Sequence, residues 1–230
     1  MTISPLPAPT GGAPAKNERS SLVLARAKPA VIVVGSFALL LVVIQLVNSA
    51  MSYSLDPRFG VVPRTWHGLT GILSAPLLHG SWGHLLSNLL PLVIFGILIM
   101  LGTARQFVAV TALVWLVSGL GVWLFGQTNS ATIGASGLVF GWLAYLIARG
   151  VFTRSFGQIL LGVVLLVVWG SLFWTGIVKV AVADITGVVT ISWQAHLFGA
   201  IGGVLAAFLV AKADGPRKPA KATAAIPQGF

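Results

Sequence analysis

Six apolar stretches separated by short polar or charged segments dominate this chain, at about 30–50, 84–101, 106–125, 134–148, 156–174 and 192–210. Several approach the roughly 20 residues that a helix needs to cross a hydrocarbon core about 30 Å thick. The stretches are continuous rather than alternating, so they predict an all-α, polytopic membrane protein with six transmembrane helices in a bundle, not a β-barrel. The chain changes character at both ends. Residues 1–28 are rich in Pro, Ala, Gly and Ser, and residues 213–230 hold no apolar run, so disordered tails are expected around a six-helix domain at 29–212. The first stretch has no small-residue cleavage site worth trusting and reads as a retained helix rather than a secretory signal.

The connections differ in kind. A long loop over residues 51–83 contains the amphipathic string Trp66-His67-Gly68-Leu69-Thr70-Gly71-Ile72-Leu73, and Trp66 and Trp82 suit the headgroup layer, so part of it is expected in the membrane surface. Residues 126–133 form a polar, uncharged loop. Residues 175–191 read as a last outer loop, rich in valine with single charges at Lys179 and Asp184, able to fold over an outward-opening site.

Composition supports the membrane reading. The chain is 57% hydrophobic and 8% charged, whereas soluble domains are about one quarter charged. A net charge of +10 would suit nucleic acid, but eleven of the fourteen cations lie in the two termini and in the connections after the second and fourth spans. Only Arg58, Arg64 and Lys179 fall on the other face. This is the positive-inside pattern of a cell-membrane protein with both termini cytoplasmic, and it makes the lipid bilayer, with anionic headgroups, the expected partner rather than nucleic acid. The absence of cysteine removes disulfides, thiolate metal sites and a cysteine nucleophile.

Polar residues inside the apolar stretches are then the chemistry to explain, since ionisable groups in spanning helices are costly and by default functional. At about 1.5 Å per residue, Ser136 lies about 20 Å above Arg149, His196 about 24 Å above Lys212, and Asn88 about 26 Å above the level of Arg105, with His84 one turn higher. Four groups from three helices thus reach one depth, in the outer half of the core. The fourth span is short and is preceded by Gln127-Thr128-Asn129-Ser130. Irregular polar backbone at that depth requires a protein- or water-lined cavity.

Residue types suggest roles. Ser136 opens its helix, where free amides and the positive dipole end favour an oxyanion that the Ser136 backbone itself would help hold. His196 is a suitable base for its proton. The pairs Gly137/Gly141 and Gly199/Gly203 permit close helix packing. Asn88 and His84, four apart on one helix face, are placed to donate to the same oxyanion. Taken singly, each has an ordinary reading: serine and asparagine as interhelical hydrogen-bond groups, glycine pairs as packing.

Three alternatives compete. His79, His84 and His196 would supply the three ligands of a catalytic zinc site, but no HExxH helix or intramembrane carboxylate accompanies them. Two-aspartate chemistry lacks acids at depth, because Glu18, Asp56, Asp184 and Asp214 all fall in tails or loops. A transporter lacks inverted repeats and intramembrane ion pairs. Asp184 is a candidate third member beside His196, though a two-residue system is favoured. The reading needs no metal and no cofactor.

With these residues in place, the chain resembles the rhomboid intramembrane serine proteases across all six spans. Gly134-Ala135-Ser136-Gly137 is similar to the family's GxSG nucleophile motif, and Ala195-His196-Leu197-Phe198-Gly199, with Gly203 beyond, to its histidine helix. His79, His84 and Asn88 match the family's HxxxxHxxxN, whose last His and Asn assist the oxyanion. There are two departures. Trp66-His67 stands where many members have Trp-Arg, and Phe140 stands where some have tyrosine, as a ring able to stack on His196. The resemblance implies cleavage of other proteins' transmembrane segments near their outer ends by Ser136 and His196. Its competitor is a catalytically inactive rhomboid-like protein that binds such segments without cutting them.

Overall fold

The computed structural model describes residues 15–128, 130–185 and 192–214, and all regular secondary structure among them is helical. Among the described residues, five helices are individually long and apolar enough to cross a membrane. They lie within α1 (Ala15–Ala50), α4 (Trp82–Met100), α5 (Ala104–Phe125), α6 (Ser136–Thr153) and α10 (Trp193–Asp214). Between the first two of these come α2 (Leu55–Phe59) and α3 (Trp66–Ser74).

The remaining span departs from expectation. Residues 156–174 are not one helix: α7 (Phe156–Trp169) ends at Gly170, and Ser171–Asp184 continues at 51° to it. The second limb comprises α8 (Ser171–Phe173), a π-helical segment Trp174–Lys179 and α9 (Val180–Ile185). Glycine and π-segments are the usual causes of a sharp helix bend. Most of the segment expected as an outer loop is therefore helical, and residues 186–191 lie outside the described residues.

The N-terminal expectation is corrected too. Helix α1 starts at Ala15, so the stretch expected to be disordered is helical for its second half. The run Ala15-Lys16-Asn17-Glu18-Arg19 is built largely of good helix formers, and further along Arg26 donates to the carbonyls of Leu101 and Gly102 beyond α4. A cation there also meets the negative end of that helix. Residues 1–14 and 215–230 of the expected tails lie outside the described residues.

Helix α6 is the centre of the bundle. Trp142 and Leu143 are fully buried and Tyr145 nearly so, as expected of a helix apolar on every side. Arg149, near its C-terminal end, donates to the Tyr145 hydroxyl at 2.8 Å and pairs with Asp214 of α10 at 2.8 Å. The first turn of α6, at the opposite end, carries Ser136.

The α6–α10 contact is a meeting of backbones. A Cβ at Gly199 would lie 2.2 Å from the Gly137 carbonyl oxygen, and one at Gly203 2.0 Å from that of Gly141. A Cβ at Gly141 would in turn lie 2.7 Å from the Gly199 oxygen. No rotamer relieves such contacts, because the obstacle is main chain. Gly203→Ala is therefore expected to lower the denaturation midpoint in detergent, by an overpacking cost of about 1–3 kcal/mol. Gly35→Ala on α1, where a Cβ meets nothing within 4 Å, is the control and should leave stability unchanged or slightly raised.

Candidate active site

The loop preceding Ser136 is fixed from several directions. Val61 and Thr132 form an antiparallel bridge with reciprocal 2.9 Å hydrogen bonds. The Gly134 N–H donates to the Ala75 carbonyl at 2.8 Å, and the Ala135 N–H to His79 Nε2 at 3.3 Å. Gly134 has φ of +115°, and a Cβ there would sit 2.7 Å from His84 Cε1. Conformation and space both demand glycine at this position. The first outer loop is itself anchored to α5, since Arg64 donates to the carbonyls of Leu124 at 3.0 Å and Gly126 at 2.9 Å.

Ser136 is the first residue of α6. The N–H groups of Leu138 and Val139 are taken by the Ala135 carbonyl. Those of Ser136 and Gly137 have no backbone acceptor among the described residues, the usual condition of a helix start. They provide donors beside the Ser136 hydroxyl.

His196, in the first turn of α10, faces that hydroxyl. Its Nε2 lies 2.9 Å from Ser136 Oγ, and its Nδ1 lies 2.7 Å from the Gly176 carbonyl oxygen. A carbonyl only accepts, so Nδ1 carries the proton and Nε2 is left free to receive one. Phe140 stacks on the imidazole with 4.1 Å between centroids and 3° between planes, as the sequence suggested, and Phe173 packs edge-on against Phe140. Ser118 of α5 completes the support, donating to the Ala195 carbonyl at 2.9 Å where a Cβ on Gly137 would collide with its oxygen.

His84 and Asn88 line the same cavity, about 950 Å³ in volume, as Ser136 and His196. Asn88 Nδ2 donates to the His84 carbonyl at 3.0 Å, which uses one of its two N–H donors. The cavity wall runs from Leu86 and Leu90 on α4 to Trp169 and Leu172 on either side of the bend. Both leucines are exposed.

Two alternatives are not assembled. The three histidines do not converge as metal ligands: His79 Nε2 is held by Ala135, and the two His196 nitrogens by Ser136 and Gly176. Among the described residues no group of three His, Cys, Asp or Glu side chains could hold a metal ion. Asp184 does not reach His196. Its carboxylate accepts from Gln127 and from Trp193 Nε1. The group that orients His196 is the Gly176 carbonyl, which sequence reasoning missed. A lone glycine at the end of an apolar run gives no sign that its oxygen matters.

Fold and cavity together define a polytopic helical membrane protein with a polar site sunk between its spans. Residues 63–213 match the rhomboid domain family. Uncharacterised proteins of Mycobacterium tuberculosis and Mycobacterium bovis are each 40% identical to this chain over 192 residues, covering 81% of it and 76% of the relative. A Mycobacterium leprae protein is 39% identical over 180 residues, 76% of this chain and 69% of its own. The chain belongs to the rhomboid family.

His79 is wholly buried, and burial, reinforced by the neighbouring His84, pushes its pKa down to about 3. Unfolding returns the ring to about 6.5. Between these values the unfolded chain binds more protons, so the stability tied to His79 is intact above about pH 6.5 and lost as pH falls toward 3. His79→Gln keeps an acceptor for the Ala135 N–H without a titrating group. It should show a smaller drop in denaturation midpoint than the wild type between about pH 7 and pH 5.

Proposed function

We propose that this protein is an intramembrane serine endopeptidase that cuts the transmembrane segments of other membrane proteins near their outer ends. The observation that carries the reading is the Ser136 Oγ to His196 Nε2 approach of 2.9 Å, with Nδ1 held by the Gly176 carbonyl. A histidine oriented in this way takes the serine proton as Oγ attacks the scissile carbonyl, and returns it to the leaving amine. Water entering the cavity then repeats the proton transfer and hydrolyses the acyl-enzyme.

The oxyanion formed at each attack lies beside the free N–H groups of Ser136 and Gly137, with His84 and Asn88 as side-chain donors. The scheme uses no metal and no cofactor. A substrate helix approaches from the bilayer between α4 and the bent fifth span, past Leu86, Leu90, Trp169 and Leu172. The positive-inside distribution orients the protein in the cell membrane with both termini cytoplasmic and the cavity toward the outer face.

Ser136→Ala and His196→Ala should each abolish cleavage of a reconstituted transmembrane substrate and labelling by a fluorophosphonate probe. The double variant should be no worse than either single one, because such a pair acts as a unit. Full turnover by Ser136→Ala would leave the binding-only alternative, or another chemistry, in its place. EDTA should leave turnover unchanged. Asn88→Ala should lower turnover about a hundredfold with substrate binding intact.

Orientation is checked separately, since the chain has no cysteine of its own. In intact cells a membrane-impermeant maleimide should label Pro57→Cys and spare Ala104→Cys.

A further inference from the structure

The second limb of the bent span, Ser171–Asp184, is held to the bundle by little apolar contact. None of its described side chains is buried, and Trp174 and Val182 are mostly exposed. Apolar packing gains little inside a bilayer, because lipid is equally apolar, so polar contacts decide how such a limb stands.

Polar contacts join it to its neighbours at two levels. Nearer the bend, the Gly176 carbonyl accepts from His196 Nδ1. Toward the far end, Asp184 uses both carboxylate oxygens: Oδ2 accepts from Trp193 Nε1 at 2.9 Å, and Oδ1 accepts from the Gln127 side-chain amide. Trp193 is the first residue of α10, one turn before His196, and Gln127 follows the end of α5. One side chain thus ties the limb to two helices, one of which carries His196.

The position of this tie gives it leverage. A rotation of the limb pivots at the bend at Gly170, six residues before Gly176 and fourteen before Asp184. A shift of about 1 Å at the Gly176 carbonyl, enough to spoil a positioned base, therefore requires more than twice that at Asp184. The hydrogen bonds there do not survive such a displacement.

We propose that Asp184 is a positioning residue for His196: by pinning the limb to Trp193 and Gln127 it keeps the Gly176 carbonyl on Nδ1, without touching the imidazole itself. The inference rests on the role of His196 as base proposed above. It requires two hydrogen-bond functions at residue 184 and no charge. Asparagine meets that requirement, because its oxygen accepts from Trp193 while its amide N–H donates to a Gln127 amide turned over to present oxygen. Alanine meets neither part of it.

The test compares Asp184→Ala with Asp184→Asn in the full-length protein in liposomes. Turnover of a transmembrane substrate is read beside the rate of labelling by a fluorophosphonate, a small probe that reaches Ser136 without the entry of a helix. Asp184→Ala should lower kcat and labelling rate by the same factor, about tenfold, with KM unchanged, and Asp184→Asn should recover most of both. In detergent, the Nδ1–H proton resonance that His196→Gln removes should persist in Asp184→Asn and be lost in Asp184→Ala.

Wild-type labelling by Asp184→Ala, whatever its KM, would overturn the proposal, and so would an Asp184→Asn as impaired as Asp184→Ala. If Asp184→Ala does not accumulate as folded protein, Trp193→Phe runs the same comparison, since it removes one donor and keeps an aromatic ring; slowed labelling supports the proposal and wild-type labelling refutes it. Failure of the underlying reading looks different: Ser136→Ala would turn over substrate or take the label, while the resonance would still follow residue 184.

Discussion

The main-chain contact between α6 and α10 is the constraint on which the site depends. Helices ordinarily pack 8–10 Å apart, at a distance set by their side chains. Here Gly137, Gly141, Gly199 and Gly203 remove those side chains, and the carbonyls of one helix lie where Cβ atoms of the other would be. Only at this separation can a serine at the start of one helix and a histidine at the start of the next bring Oγ and Nε2 to 2.9 Å. The hydroxyl and the imidazole are short side chains, so the backbones must cover most of the distance. On the proposed function, in which a 1 Å displacement of positioned groups costs about a hundredfold, the glycines are part of the chemistry although none touches a proton.

The second requirement is that polar backbone at membrane depth find partners. The loop before Ser136 meets it by borrowing from neighbours: Thr132 from Val61, Gly134 from Ala75, Ala135 from His79. Donors left unmatched at the start of α6 are those beside the Ser136 hydroxyl. Thr132, Gly134 and Ala135 are thus held, while the N–H groups of Ser136 and Gly137 stay open beside the hydroxyl. His79 fits this economy as a neutral acceptor, because a charged ring in its place would repel the N–H it holds.

Much of this was legible in the sequence. Long apolar runs carry their own signature, and His84, Asn88, Ser136 and His196 could be assigned a common depth by counting from charged ends. The glycine pairs were visible because small residues at i and i+4 define a helix face. Less visible was anything done by main chain. The bend at Gly170 has apolar residues on both sides, so hydropathy runs through it without a break. Ser52 and Tyr53 turn the chain in left-handed conformation without the glycine or asparagine that usually marks such a turn, so nothing in their types places Asp56 beside Asn48. Helix α1 extends N-terminally of the apolar run at least to Ala15, over good helix formers, and Arg26 finds carbonyls beyond α4, a tertiary contact that composition does not encode.

The bent fifth span does two things at once. Trp169 and Leu172 close one side of the cavity, and a few residues further along Gly176 supplies the acceptor for His196 Nδ1. Wall and acceptor belong to one continuous piece of chain, so they form an interlock. Any displacement of that limb large enough to part it from α10 also leaves the imidazole without its anchor and free to exchange tautomers. On the proposed function, a transmembrane segment entering past Trp169 and Leu172 would therefore pass the same element that holds the base.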